Sequence, residues 1–307
     1  MNAGPRGGGA GSIEPPLALS VDVEDYYQVQ AFAHIVPRAA WPSYPARVSG
    51  NTRRLLDLFD EAGATATFFV LGWVARNDPD LVKEIARRGH EIASHGMDHR
   101  LLTELTPAEF HEQARESRAM LEDLAQAPVL GFRAPSYSVG KRTLWAIDVL
   151  VRAGYAYDSS VYPIHRRRYG YPEGPTRPAL LAVNGGAALA EFPLPTVPIG
   201  PLRFPVLAGA YLRLLPRWIS ARALDYHLAR RIPLIVNIHP WEIDPGQPTV
   251  GPSRAPWTHY AGLDGMEGTL RAVLRRGVFR PAATRLRELG LIGSNGQRPA
   301  IVPKSSA

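Results

Sequence analysis

The sequence predicts an α/β protein in which parallel strands and helices alternate around a deformed, partly open (β/α)7-type barrel. Three observations predict it. Helix, glycine and strand follow one another at Gly63, Gly89 and Gly154, the grammar of βα units around a parallel sheet. About seven short apolar runs read as strands. Polar and titratable residues gather at the C-terminal ends of those runs, where parallel α/β barrels carry their chemistry.

Each element has its own signal. Leu17–Val23 is short and apolar, a strand. Asn51–Ala62 spaces Leu55, Leu56, Leu58 and Phe59 on one helical face, and Gly63 stops it. Ala64–Leu71, rich in Thr, Phe and Val, is a strand. Asp78-Pro79 opens a helix that Gly89 ends, and His90–His95 is the next strand. Thr106-Pro107-Ala108-Glu109 is a capping box with proline at the first helical position, opening a helix to about Gln126. Val129–Ala134 is a strand, Thr143–Ala153 a helix ended by Gly154, and Tyr155–Ser159 a strand. Ala188–Pro193 and Leu234–His239 complete the set. Residues 1–16 and 293–307 read as flexible tails around a domain over 17–292, with an extension from about 241.

Composition narrows the chemistry. The 307 residues contain no cysteine, which excludes disulfides, a thiolate nucleophile and a Cys-ligated zinc site. Any metal must sit on His, Asp or Glu. The net charge is +7, but of the basic residues only Lys83, Lys141 and Lys304 are lysine. This arginine bias reads as genome-wide. No basic block interleaved with aromatics points to nucleic acid. The Gly- and Pro-rich start lacks a signal peptide's apolar segment. No apolar run reaches the roughly 18 residues of a membrane helix. The expectation is a soluble, cytoplasmic protein.

The strand ends carry the functional signal. The first runs into Ser20-Val21-Asp22-Val23-Glu24-Asp25. Alternation puts Ser20, Asp22 and Glu24 on one face, and acids this close repel unless a cation or protons neutralise them. The third ends in Ser94-His95-Gly96-Met97-Asp98-His99; in a helical turn His95 and His99, at i and i+4, face one side and can share a metal. The fourth ends in Arg133-Ala134-Pro135-Ser136-Tyr137, an arginine beside a proline-stiffened turn that can hold a carboxylate. The fifth ends at Asp158 and the last at His239, emerging from Leu234-Ile235-Val236.

Taken in order, these residues resemble the NodB-type polysaccharide deacetylases, carbohydrate esterase family four. That family has five ordered motifs on a deformed barrel, and the likeness covers roughly residues 17–240. A finer likeness is to the subgroup tied to exosortase (PEP-CTERM) exopolysaccharide loci. It lies in Ser20–Gln28, Arg133–Ser138, Asp158–Pro163 and His239–Asp244. It extends to Glu191–Pro216 and the His259-Tyr260 region.

The resemblance implies roles. Asp22 is the general base, oriented by Arg133. His95 and His99 are metal ligands. His239 is the general acid, tuned by Asp158. Pro135 and the backbone near Tyr137 serve substrate and oxyanion. The family's adjacent aspartates are broken here by Val23, so the third ligand is Glu24 or Asp25. Strand alternation favours Glu24; acid type favours Asp25, towards which the balance tips. Ser136 stands in the motif's aromatic position, with Tyr137 one place later. The implied cofactor is a divalent metal, zinc first, with cobalt, nickel or iron(II) also suited. The implied partner is an N-acetylated polysaccharide or oligosaccharide. Two rivals remain: an allantoinase-like amidohydrolase of a small cyclic amide, and a non-catalytic carbohydrate-binding relative using aromatics such as Trp41, Tyr44, Tyr169, Tyr171 and Trp241.

Overall fold

Strand β1 (Leu17–Val23) lies inside the sheet, paired in parallel with β2 (Thr67–Val70) on one side and β10 (Leu234–Ile238) on the other. From β2 the sheet continues through β3 (Glu91–Ser94), β4 (Gly131–Phe132), β5 (Tyr157–Asp158) and β7 (Ala188–Glu191), all parallel. β6 (Ala179–Ala182) closes that edge antiparallel to β7, and the short β11 (Phe279–Arg280) pairs with the start of β1. β8 (Thr196–Ile199) and β9 (Leu202–Pro205) form a separate hairpin. β10 and β6 end the path without pairing, so the sheet curls as an open half-barrel. The computed structural model describes residues 16–166, 169–183, 187–251, 256–294 and 296–297. The expected tail over 1–16, except Pro16, and most of the one over 293–307 lie outside the described residues.

Helices cover the outer face: α1 (Val48–Ala62), α2 (Gly72–Asn77), α3 (Pro79–Arg87), α4 (Pro107–Ala125) and α5 (Trp145–Arg152). Beyond them come α6 (Ala210–Leu214), α7 (Arg217–Ala229), α8 (Trp257–Tyr260), α9 (Leu263–Leu274) and α10 (Ala282–Glu288). The capping box at Thr106 and Glu109 is formed, and Asp78 caps α3 by accepting from the Leu81 amide at 3.1 Å. Sequence reading missed α2, the β8–β9 hairpin, β6, β11 and the helices from α6 onward. Most are short segments without a clean period; α9 is the exception, with Leu263, Met266, Leu270, Val273 and Leu274 at helical spacing that a sequence scan could have found.

Alternation along the strands separates two apolar clusters. Leu17, Leu19, Val21 and Val23 of β1 join Phe68, Val70, Ile92, Phe132, Val236 and Ile238 beneath the helices. Ala18 joins Phe69, Ala93, Tyr157, Ala190 and Ile235 on the inner face. Each outward Val or Leu so buried contributes about 1.5–3 kcal/mol. The inner face is built from small residues beside a few large ones. Gly131 shows why: a Cβ there would lie 2.1 Å from the Tyr157 ring, so only glycine lets that ring cross the interior.

Arg133 follows Phe132 and therefore points inward. It is fully buried, with its guanidinium 4.0 Å from the Phe69 ring centroid. Its Nη1 donates to Asp22 Oδ1 at 2.7 Å, Ser20 Oγ at 2.9 Å and Asn237 Oδ1 at 2.6 Å. Its Nε donates to the Ser159 carbonyl at 2.8 Å and Nη2 to Ser159 Oγ at 2.7 Å. One side chain thus ties the ends of β1, β5 and β10 to β4. Removing one partner of a buried ion pair leaves an uncompensated charge. Arg133→Met is therefore expected to lower the unfolding free energy by about 3–5 kcal/mol, read from urea melts at neutral pH.

Candidate active site

The C-terminal ends of β1, β3, β4 and β10 meet in one cavity of about 220 Å³, lined by Asp22, Glu24, His95, His99, Tyr137 and His239 among others. A larger cavity of about 470 Å³ at the opposite end of the strands, beside Glu91 and Arg287, contains none of these residues. We place the chemistry at the first, where the titratable groups converge.

Asp22 is held from two sides. Oδ1 accepts from Arg133, and Oδ2 accepts from Asn237 Nδ2 at 3.1 Å and lies 3.6 Å from His239 Nε2. Burial opposes its ionisation, but Arg133, His95 and His239 outweigh that and hold its carboxyl below the usual range.

The two histidines sit on an irregular loop, not the helical turn read from their spacing. Gly96 (φ 76°) and His99 (φ 56°) take left-handed conformations, and the ring centroids lie 5.4 Å apart. Arg38 Nε clamps this loop by donating to the Asp98 carbonyl at 2.7 Å. His95 Nδ1–H donates to the Arg133 carbonyl at 2.9 Å, which leaves Nε2 as a free lone pair. Burial lowers the His95 pKa to about 4, so the ring is neutral at pH 7. Glu24 Oε2 lies 2.7 Å from His99 Nε2 and 3.9 Å from His95 Nε2.

Among the described residues, Glu24, His95 and His99 are the group whose ligand atoms all fall within 4.8 Å of one another. Glu24 Oε2 is buried with no hydrogen-bond donor aligned on it. Two imidazoles, a carboxylate and an orphaned oxygen suit a divalent cation with open positions. Burial raises the Glu24 pKa, yet His99 and then His239 and His95 bring it down to about 2, so the donor is charged.

Asp25, towards which the sequence reading tipped, is turned to other work. Its Oδ1 accepts from its neighbour Tyr26's amide at 2.9 Å, and its Oδ2 accepts from the Arg47 and Val48 amides at 2.7 and 3.0 Å. Those last two amides open α1, whose N-cap Arg47 supplies no side-chain cap. Asp25 therefore caps a helix across the fold. The chain turns as β1 ends, the Glu24 amide donating to the Asp22 carbonyl at 3.1 Å, and leaves Glu24 beside Asp22 in the cavity lining.

The partner of His239 is a second correction. His239 Nδ1 donates to Glu242 Oε2 at 2.9 Å, and Glu242 Oε1 accepts from Arg213 Nε at 3.2 Å. Burial disfavours the imidazolium, but Glu242, with Glu24 and Asp22, raises the His239 pKa to about 9. Asp158, expected in that role, accepts instead from Ser160 Oγ at 2.5 Å and pairs with Glu191. Burial raises Asp158 to about 6; burial and the Asp158 charge raise Glu191 far above its ordinary range. Each leaves one oxygen without another donor, so the pair holds a proton between them.

Pro135 is buried and forms the turn after β4, with no N–H of its own. The Tyr137 amide donates to the Ala134 carbonyl at 2.9 Å, so it is already used. Its phenol oxygen accepts from Asn237 Nδ2 at 2.7 Å.

Residues 40–157 match the family model described as polysaccharide deacetylase. That stretch is what this chain shares with the family. The chain is similar to a chitooligosaccharide deacetylase of Bradyrhizobium sp. (strain ANU 289), 35% identical over 36% of this chain and 48% of that protein. It is also similar to a peptidoglycan-N-acetylglucosamine deacetylase of Bacillus cereus, 32% identical over 27% of this chain and 39% of that protein. The chain thus spans about half the length, or less, of these curated relatives. Among solved structures, a Mycobacterium smegmatis protein assigned as a polysaccharide deacetylase superposes with TM-score 0.60 at 20% identity, covering 99% of both chains. Puue allantoinase superposes with TM-score 0.59 at 15% identity, covering 89% of both chains. Those two likenesses concern the fold.

The deacetylase match contains His95, His99 and Arg133, whereas His239, Glu242 and Arg213 fall in residues 159–287, which match a domain of unknown function, DUF3473. Asp22 and Glu24 precede both. Asn237 and Glu242 are site residues to which sequence reasoning gave no role. Asn237 shares the inward face of His239 by alternation, and Glu242 stands at the capping-box spacing after a His-Pro pair. Arg213 carried no such signal; it arrives from α6 by tertiary packing.

Two outcomes follow from this geometry. Glu24→Ala is expected to lose the capacity to retain a divalent cation through purification. Asp25→Ala is expected to keep the metal and lose about 0.5–2 kcal/mol of stability, measured by elemental analysis beside thermal melts. The second concerns the Asp158–Glu191 pair. Both folded-state pKa values lie above their unfolded values, so the contribution to stability is full below the unfolded carboxyl range. It is lost as pH rises through about 6. Glu191→Gln removes one of the two acids, and its urea midpoint is expected to fall less than the parent's between pH 5 and 7.5.

Proposed function

We propose that this chain is a metal-dependent hydrolase that removes N-acetyl groups from an amino-sugar polysaccharide, in exopolysaccharide biosynthesis. One observation carries the reading: an ionised carboxylate, Asp22, faces a protonated imidazole, His239, at 3.6 Å beside the Glu24–His95–His99 cluster. Two titratable groups with pKa values driven apart are the signature of a base and an acid in one site. The likeness to deacetylases over residues 40–157 supports the substrate class. The likeness of Ser20–Gln28, Arg133–Ser138, Asp158–Pro163 and His239–Asp244 to the exopolysaccharide-associated subgroup supports the setting.

Glu24, His95 and His99 are the residues that would hold the cation. A divalent ion there, zinc by its donor set, supplies Lewis acidity towards an acetyl oxygen and lowers the pKa of water. Asp22 takes the proton from the attacking water, held in pose by Arg133 and Asn237. His239 delivers a proton to the departing amine through Nε2, because Nδ1 is committed to Glu242. The Ser136 amide is the backbone donor assigned to the tetrahedral oxyanion. It lies in the cavity lining within a left-handed turn (φ 52°), and the neighbouring Tyr137 amide is taken. Acetate and a free amino sugar are the products.

The decisive experiment measures acetate released from N-acetylglucosamine oligomers, with and without a chelator and with allantoin as a competing substrate. Activity on the oligomers that the chelator abolishes and zinc restores is the expected result. Chelator-insensitive turnover, or turnover of allantoin alone, would overturn the reading. Asp22→Asn and His239→Ala are each expected to lower kcat by about 10²–10⁴-fold with metal retained. Glu242→Gln is expected to lower kcat with little change in KM, because it removes the charge that holds and orients the imidazolium.

A further inference from the structure

The segment matching a domain of unknown function builds one wall of the reaction cavity out of tyrosines. Tyr162, Tyr169 and Tyr211 all line it. The Tyr162 and Tyr169 rings stack with centroids 6.2 Å apart at 26°, and Tyr211 meets Tyr162 edge-on at 6.3 Å. The hydroxyls of Tyr169 and Tyr211 lie 3.2 Å apart, and Arg166 Nε donates to the Tyr211 hydroxyl at 3.1 Å. The wall is therefore fixed before any ligand arrives. Tyr162 is 1% exposed, yet its hydroxyl has no hydrogen-bond partner. A buried hydroxyl without a partner is costly unless a ligand group meets it.

This combination selects a ligand. The half-buried Tyr169 and Tyr211 present the ring surface that accepts the axial C–H groups of a pyranose, while Tyr162 behind them offers its hydroxyl, which can accept from or donate to a sugar alcohol. The cavity of about 220 Å³ is smaller than the roughly 300–1,000 Å³ of a drug-sized site. It accommodates one sugar ring with its acetamido group. We infer that Tyr162, Tyr169 and Tyr211 form a sugar-binding subsite that takes one pyranose ring of an N-acetylated amino sugar. This gives the segment from residue 159 a role in substrate recognition. The identity of the ligand rests on the deacetylase reading above.

The test is calorimetric binding of the N-acetylglucosamine tetramer to the zinc-loaded full chain, for the parent, Tyr162→Phe and Tyr169→Ala. Acetate release is measured in parallel. Tyr162→Phe keeps the ring and the packing and removes only the orphaned hydroxyl. It is expected to weaken binding about five- to tenfold, and Tyr169→Ala more than about tenfold, with zinc content unchanged. Parent affinity retained in both variants overturns the subsite, whatever the turnover. A parent chain that does not bind the tetramer also overturns it. Binding that falls in the variants, in a chain that releases no acetate, upholds the subsite and removes the deacetylase reading.

Discussion

The ion pair between Arg133 and Asp22 is the constraint on which the interior depends. Neither group is exposed, and a lone charge at that depth would be untenable. The guanidinium is satisfied only if β1, β5 and β10 end where they do, with Ser20, Ser159 and Asn237 in reach. The same contacts fix the Asp22 carboxylate towards His239. Structural and chemical demands on this arginine therefore coincide, and the barrel's register sets the geometry of the site.

The crowded acids at the end of β1 are resolved by dividing them among different partners. Asp22 goes to Arg133 and Asn237, Glu24 to the two histidines, and Asp25 to the N-terminus of α1. Asp22 thereby acquires a guanidinium, Asp25 a helix N-terminus and Glu24 the edges of two imidazoles, so the three acids are held on separate partners. Asp158 and Glu191, which form no ion pair among the described residues and feel Arg133 only weakly against their burial, take the other solution and share a proton.

The two halves of the chain contribute unequal chemistry to one cavity. The first half supplies Asp22, the candidate metal ligands and Arg133. The second supplies His239 with its Glu242–Arg213 support, and the tyrosine wall. β10 pairs directly with β1, so the two sets meet across neighbouring strands. Of the aromatics read from sequence as sugar-stacking candidates, Tyr169 and Trp241 line the cavity. Trp41 is instead buried in a cluster with Tyr27 and Trp73.

By itself the sequence determined the strands whose alternation is unmistakable, the capped helices and the ordered set Asp22, His95, His99, Arg133 and His239. Those signals are local: a pleat, a proline at a helix start, a residue type at the end of an apolar run. The tertiary structure alone decided which carboxylate serves which partner. Glu24 rather than Asp25 reaches the histidines because the chain turns as β1 ends, with the Glu24 amide on the Asp22 carbonyl at 3.1 Å, while the start of α1 claims Asp25. Glu242 rather than Asp158 supports His239 because a turn of three residues places it there, while Asp158 lies against Glu191. Partnership between charges depends on distance in space and on burial, neither of which sequence spacing fixes.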